Sequence, residues 1–112
     1  SLELESVLDA LLRGTLSLLK DAQNAHIYLV EEENTTYSTA LWNDGRKTPV
    51  LAVPRTDGLT RTVARTGEPI MVSDMDAHPL YANAPDDPLW KGAIAGLPLK
   101  IGERVVGVMN IS

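Results

Sequence analysis

Gly58-Leu59-Thr60-Arg61-Thr62-Val63-Ala64-Arg65-Thr66-Gly67-Glu68-Pro69-Ile70-Met71-Val72 is the stretch whose reading decides the fold. It reads as a short helix, its exit and a strand. Asp57 is the expected N-cap, because a carboxylate there accepts the helix's unpaired backbone N–H groups. Gly67 suits the left-handed residue that closes a helix, and Pro69 forbids continuation. Ile70-Met71-Val72 follows at once as a short apolar strand. A helix of about two turns is not stable alone in water, so it must pack on a sheet supplied by the rest of the chain.

Upstream, Leu4, Val7, Leu8, Leu11, Leu18 and Leu19 recur at helical spacing and predict an amphipathic helix over residues 2 to 20. Leu12 and Leu16 widen its apolar arc to roughly half the circumference, more than one sheet face covers. A second helix or another subunit is expected to take the remainder, unless the helix is simply deeply buried. Ala25 to Val30 is apolar on both alternating faces, as in a central strand covered on both sides. Thr36 to Trp42 predicts a second strand, with Tyr37, Thr39 and Leu41 on one face and Ser38, Ala40 and Trp42 on the other. Asn43-Asp44-Gly45 is a turn. Thr48 to Val53 predicts a third strand, stopped by Pro54.

Downstream, Ser73 to Gly92 is rich in Pro, Ala and Asp and shows no period. A loop of that length inside a compact domain is usually a lid, a binding loop or a disordered segment. Ala93 to Lys100 and Glu103 to Ile111 predict a hairpin around Ile101-Gly102, with Val105, Gly107, Met109 and Ile111 on one face of the last strand. The order of elements lacks the strand–helix–strand rhythm of a doubly wound parallel fold. A mainly antiparallel sheet with helices packed on one face is the better reading.

Composition narrows the function. A chain of 112 residues, 44% hydrophobic and 22% charged, makes one globular domain, here residues 1–112. It has no cysteine, so thiol nucleophiles, thiolate metal sites and thioether attachment of a pigment are absent from its chemistry. The net charge of −5 with scattered basic residues argues against nucleic acid and anionic membrane as partners. No apolar run approaches the ~20 residues of a membrane helix and no secretory signal is visible. A cytoplasmic location is expected.

Three segments resemble the GAF family of sensory domains: Gly58–Pro69 as its short helix and exit turn, Ile70–Met75 as the strand and acidic turn that follow, and Ala95–Leu99 with Arg104–Ile111 as its closing hairpin. The resemblance covers nearly the whole chain, and it implies an α+β fold: a central antiparallel sheet of about six strands, the N-terminal helix on one face, and the short helix with the long loop over a pocket on the other. It also implies a signal-transduction sensor that binds a small molecule non-covalently and relays its state through terminal helices to an output domain, such as a histidine kinase of a bacterial two-component system or a cyclic-dinucleotide enzyme. Family members usually continue into a long C-terminal helix beside the first; the chain ends at Ser112, so this segment is expected to lie outside it. The absence of Phe leaves the cyclic-nucleotide signature of some relatives incomplete, and relatives that reduce free methionine sulfoxide use cysteines. The chain is therefore expected to be a regulatory domain and not an enzyme in its own right. The alternative is a ligand-free dimerisation and relay module.

The candidate ligand-binding residues are Trp42, Asp57, Leu59, Thr60, Val63, Asp74, Tyr81 and Trp90. Aromatics are only 4% of the chain, which gives Trp42, Tyr81 and Trp90 weight as pocket walls, or as pins holding the loop to the domain. Arg61 and Arg65 share a helix face and suit an anion, but equally a solvated surface. Asp74-x-Asp76-x-His78 has too few ligands for a hard metal and reads as turn caps. His26 on a central strand reads as a packed core residue rather than a haem or metal ligand. No metal, cofactor or catalytic residue is expected. A homodimer through Leu4, Leu8, Leu11, Leu12, Leu16 and Leu19 is expected.

Overall fold

The computed structural model describes residues 2–31, 34–49, 57–82 and 91–112. Helix α1 spans Leu2–Leu18, with Glu3 and Glu5 in its first turn complementing the positive end of the helix dipole. Strands β1 (Asn24–Glu31), β2 (Asn34–Trp42) and β3 (Lys47–Pro49) follow, then helix α2 (Leu59–Thr66) and strand β4 (Ile70–Val72). Strands β5 (Ile94–Ile101) and β6 (Arg104–Ile111) close the fold. All six strands form one sheet in the order β3-β2-β1-β6-β5-β4, with every pairing antiparallel. The expected α+β class and six-stranded antiparallel sheet are present.

Position in the sheet explains composition. β1 and β6 are the central pair and carry the two-sided apolar pattern. β3 is an edge strand, which is why it tolerates Pro49. The end of β6 is tied back to the start of β1: Gln23 N–H donates to Ser112 O at 2.6 Å and Ser112 N–H to Asn24 O at 3.1 Å. The Asn43–Gly45 turn forms as expected, with Gly45 at φ 90° donating to Trp42 O at 2.9 Å.

Alternation splits the side chains into two cores. One contains Leu8 and Leu12 of α1 with Ala25, Ile27, Leu41 and Met109. The other contains Leu59 and Val63 of α2 with Val72, Met75, Tyr81 and Val108. Cross-strand partners such as Ile27, Thr39 and Met109 therefore face α1, and Tyr28, Ser38 and Val108 face α2. α2 lies tight on β5, because a Cβ added at Gly96 would meet Val63 and Leu59 at 3.0–3.2 Å.

Several expectations are corrected. Gly58, not Asp57, is the N-cap of α2, with no side-chain cap; Asp57 is exposed. The adjacent Thr62 hydroxyl donates to Gly58 O at 2.7 Å instead. Gly67 does close α2 in the left-handed region, at φ 69°, its N–H reaching Val63 O. The segment after β4 is less irregular than its composition suggests: 3-10 turns occupy Met75–Ala77 and Pro79–Tyr81. Val105 leaves the face of Gly107, Met109 and Ile111, because the β5–β6 register slips between Leu99 and Lys100. It lies instead beside Gly67 at the end of α2. Leu8 and Leu12, expected at a dimer interface, are 5% and 0% exposed against this domain's own sheet, and Leu16 packs there too. The exposed stripe of α1 is Leu4, Val7, Leu11 and Leu18, continued by Leu19. Residues 50–53 of the expected third strand, and Trp90, lie outside the described residues.

Candidate functional site

The α2 side of the sheet gathers the polar and aromatic groups. Trp42 at the end of β2 is half-buried there, and its indole N–H donates to Thr48 of β3 at 3.1 Å. Arg46 stacks on the same ring, its guanidinium carbon 4.8 Å from the centroid. His26 sits between two aromatics: its ring meets Trp42 and Tyr28 edge-to-face, each with centroids 6.4 Å apart. Asn110 of β6 is the direct cross-strand partner of His26. Its Nδ2 donates to the Thr60 hydroxyl of α2 at 2.8 Å.

This arrangement leaves two polar atoms on adjacent strands without a partner among the described residues. Asn110 Oδ1 and His26 Nε2 are both buried and accept or donate no hydrogen bond. Asn110 as a residue is only 7% exposed. A buried polar atom left unsatisfied costs about 1–3 kcal/mol, so two on neighbouring positions are an expensive feature unless something outside the chain satisfies them. Burial lowers the pKa of His26, which keeps its imidazole neutral near pH 7. Burial, with the nearby Tyr81, raises that of Tyr28 and keeps its hydroxyl protonated.

The expected site residues divide accordingly. Trp42, Thr60 and Tyr81 belong to the α2 side of the sheet. Leu59 and Val63 are there too, but 3% and 0% exposed, wedged against Gly96 and Val108; they build the wall rather than present a surface. Asp57 is exposed and Asp74 is spent on local structure, its Oδ1 accepting from Asp76 N–H at 3.0 Å. Asp76 pairs with Lys91 at 2.8 Å, and His78 Nδ1 accepts from Leu80 N–H at 3.1 Å. The Asp74–His78 run therefore caps turns, and no metal-holding group occurs among the described residues. Arg65 is exposed. The sequence pattern does not single out Tyr28 or Asn110, and it gives His26 as a core residue. The signal for Asn110 is in Val108-Met109-Asn110-Ile111: a polar residue at an inward position of a central strand.

A second feature links the two sides of the sheet through β3. Thr48 holds Trp42 on the α2 side, while its neighbour Lys47, paired with Leu41, reaches across the other side to Asp9 of α1 at 2.9 Å. Asp9 also takes Arg13 at 3.2 Å. The hydrogen bond from Lys47 lowers the carboxyl pKa of Asp9, and Asp9 raises that of Lys47.

An antiparallel sheet with its two helices on opposite faces, enclosing unsatisfied polar groups under the shorter helix, defines an α+β domain of the kind that binds small molecules. Residues 1–112 match the GAF domain family, and the chain belongs to it. GAF domains in general are sensor domains for small molecules. The sequence matches no curated protein. Among solved structures, the fold is similar to a type II free methionine-R-sulfoxide reductase from Thermoplasma acidophilum, with TM-score 0.66 and 15% identity over 95% of this chain and 71% of that one. It is similar to the nlh2 GAF domain of A. aeolicus in an inactive state, with TM-score 0.56 and 18% identity over 86% and 60%. A NreA protein from Staphylococcus aureus, mutated in its nitrate-binding site, gives TM-score 0.51 and 17% identity over 87% and 78%. The chain thus spans 60% of the A. aeolicus domain's length.

The expectation that the chain is no enzyme in its own right is overturned by these likenesses. Free methionine-R-sulfoxide reductases recur among the similar structures, from Neisseria meningitidis and Staphylococcus aureus as well. The fold is thus one that carries catalysis in some proteins and sensing in others, and membership of it does not mark a chain as non-catalytic. No helix among the described residues is long and apolar enough to cross a membrane.

Proposed function

We propose that this domain binds a small molecule non-covalently on the α2 side of its sheet and passes the bound state to α1, and through it to an output domain such as a histidine kinase. The observation that carries the reading is Asn110: a nearly fully buried amide with one end bonded to Thr60 and the other unpartnered. A polar group of that kind in a central strand is unfavourable for folding and useful for recognition. The neighbouring His26, Tyr28 and Trp42 supply flat apolar surface beside it. The nitrate site named for the NreA protein supports small-molecule binding on this fold.

Relay is supported by the β3 connection. A molecule that displaces Trp42 acts on Thr48, and the same three-residue strand carries Lys47 to Asp9. The exposed apolar stripe of α1 is the surface through which a second copy or a partner helix would receive the change. A cytoplasmic location fits this role.

The test is native mass spectrometry of the protein as purified from cells, compared with its mass after denaturation. The expected result is an extra mass that is lost on denaturation and absent from an Asn110→Leu variant. A mass equal to the chain alone, with an Asn110→Leu variant behaving identically, would refute ligand binding.

A further inference from the structure

The two unpartnered atoms also define what kind of molecule fits, and the inference rests on the reading of this face as the binding surface. Asn110 Nδ2 is committed to Thr60 Oγ1, so the amide offers its carbonyl oxygen, an acceptor, to whatever arrives. An acceptor repels an anion and requires an N–H or O–H donor. The atom opposite it, His26 Nε2, belongs to a ring held neutral, so the pair supplies no positive charge.

The surrounding strand positions add none, and the cation beside them, Arg46, is engaged over the Trp42 ring, its guanidinium carbon 4.8 Å from the centroid. Tyr28, Ala40, Trp42, Thr48 and Val108 share this face, and all are uncharged. Lys100 lies at the far end, against Gly67 where α2 finishes. A cation would fare no better on these strands, since none of those positions holds a carboxylate and a buried unpaired charge is costly. The aromatic edges of Tyr28 and Trp42 on either side of His26 favour a planar partner.

We infer that the molecule bound here is uncharged and flat, with an N–H donor for Asn110 Oδ1 next to a second hydrogen-bonding atom for His26 Nε2. Cyclic amides and related heteroaromatic edges are of this class. Inorganic oxyanions are not.

The probes are 2-pyridone, whose N–H lies beside a carbonyl, and sodium nitrate at matched ionic strength. Each is titrated into the 15N-labelled chain while the Asn110 side-chain amide and His26 imidazole nitrogen resonances are followed. The expected result is that 2-pyridone shifts both sets saturably, and nitrate moves neither. Asn110→Leu and, separately, His26→Phe weaken 2-pyridone binding at least tenfold, with each variant's fold checked by circular dichroism. Saturable shifts with nitrate overturn the assigned class and leave the sensing reading standing. Silence of 2-pyridone also overturns the class; silence of both probes, together with no extra mass in the native spectrum, removes the sensing reading as well.

Discussion

Replacing the Asn110–Thr60 pair by apolar groups of the same branching, Asn110→Leu with Thr60→Val, tests whether the amide serves the fold or the ligand. The pair contributes one buried hydrogen bond of 2.8 Å, whose net value is about 0.5–1.5 kcal/mol. It also leaves Asn110 Oδ1 buried without a partner, a penalty of about 1–3 kcal/mol. The double variant loses the first and escapes the second, so the empty domain should gain about 1 kcal/mol. For a domain of this size that is an increase of ~4 °C in Tm. Urea unfolding followed by circular dichroism reads the change as a raised midpoint at unchanged slope. A double variant less stable than the parent by about 1 kcal/mol or more would show that Asn110 is a structural residue whose acceptor is already satisfied, and the argument for the site would fail. Asn110→Leu alone should gain less, because the Thr60 hydroxyl then loses its donor.

Four further outcomes follow from the packing and the charges. Leu12→Ala, at a position 0% exposed in the α1 core, should cost about 2–5 kcal/mol in urea unfolding; a loss under about 1 kcal/mol would mean that α1 is loosely seated. Gly107→Ala should cost about 1–3 kcal/mol, because the new Cβ would sit 2.8 Å from the Tyr28 carbonyl in the neighbouring central strand; Gly14→Ala, at an exposed position of α1 with nothing within 4 Å, should instead gain about 0.5–1 kcal/mol, and equal effects would contradict the placement of both. His26 has its folded pKa below its unfolded value near 6.5, so the unfolded chain binds the extra proton and stability is lost as pH falls below about 6.5, by at most ~1.4 kcal/mol per pH unit. In His26→Phe this part of the loss between pH 7 and pH 5 should vanish, and identical pH profiles would count against a buried neutral imidazole. Asp9 has a lowered folded pKa, so the Lys47 pair holds α1 to β3 above the ordinary carboxylate range and releases it as pH falls through the folded value; Asp9→Asn should abolish that acid-dependent change in α1 hydrogen exchange.

Much of the frame was readable along the chain, for local reasons. Gly67 and Pro69 fix the end of α2, and the alternation in Thr36–Trp42 assigns both faces of β2 before any partner strand is known. The failures lie where two local solutions compete. Asp57 and Gly58 are both competent N-caps, and only packing of Leu59 under β5 chooses between them. The 3-10 turns after β4 have no period because Asp74 and His78 build them by bonding their own backbone two residues on. Leu8 and Leu12 could not be separated from Leu4 and Leu11 by spacing, since a half-wide arc contains both the stripe that meets the sheet and the stripe that does not. Of the candidate site, Trp42, Thr60 and Tyr81 stood out by type or position. Tyr28 and Asn110 did not, because an inward polar side chain in a strand becomes informative only once its partners are counted.

The placement of that pair has a mechanical consequence. His26 and Asn110 sit on β1 and β6, the two central strands, each hydrogen-bonded on both sides and tied together again through Ser112 and Asn24. Their positions are therefore the least able to move. What they touch is the opposite: among the described residues, α2 has eight residues and bonds Asn110 through Thr60, and β3 has three residues and bonds Trp42, the ring beside His26, through Thr48. A molecule that engages the rigid pair competes for, or reinforces, each of those two bonds at about 0.5–1.5 kcal/mol apiece, the scale on which coupling between sites operates. Its effect is felt in the short elements rather than the sheet. Of these, among the described residues, β3 also holds α1, through Lys47 and Asp9, so under the proposed function that edge strand is where binding would reach the relay helix.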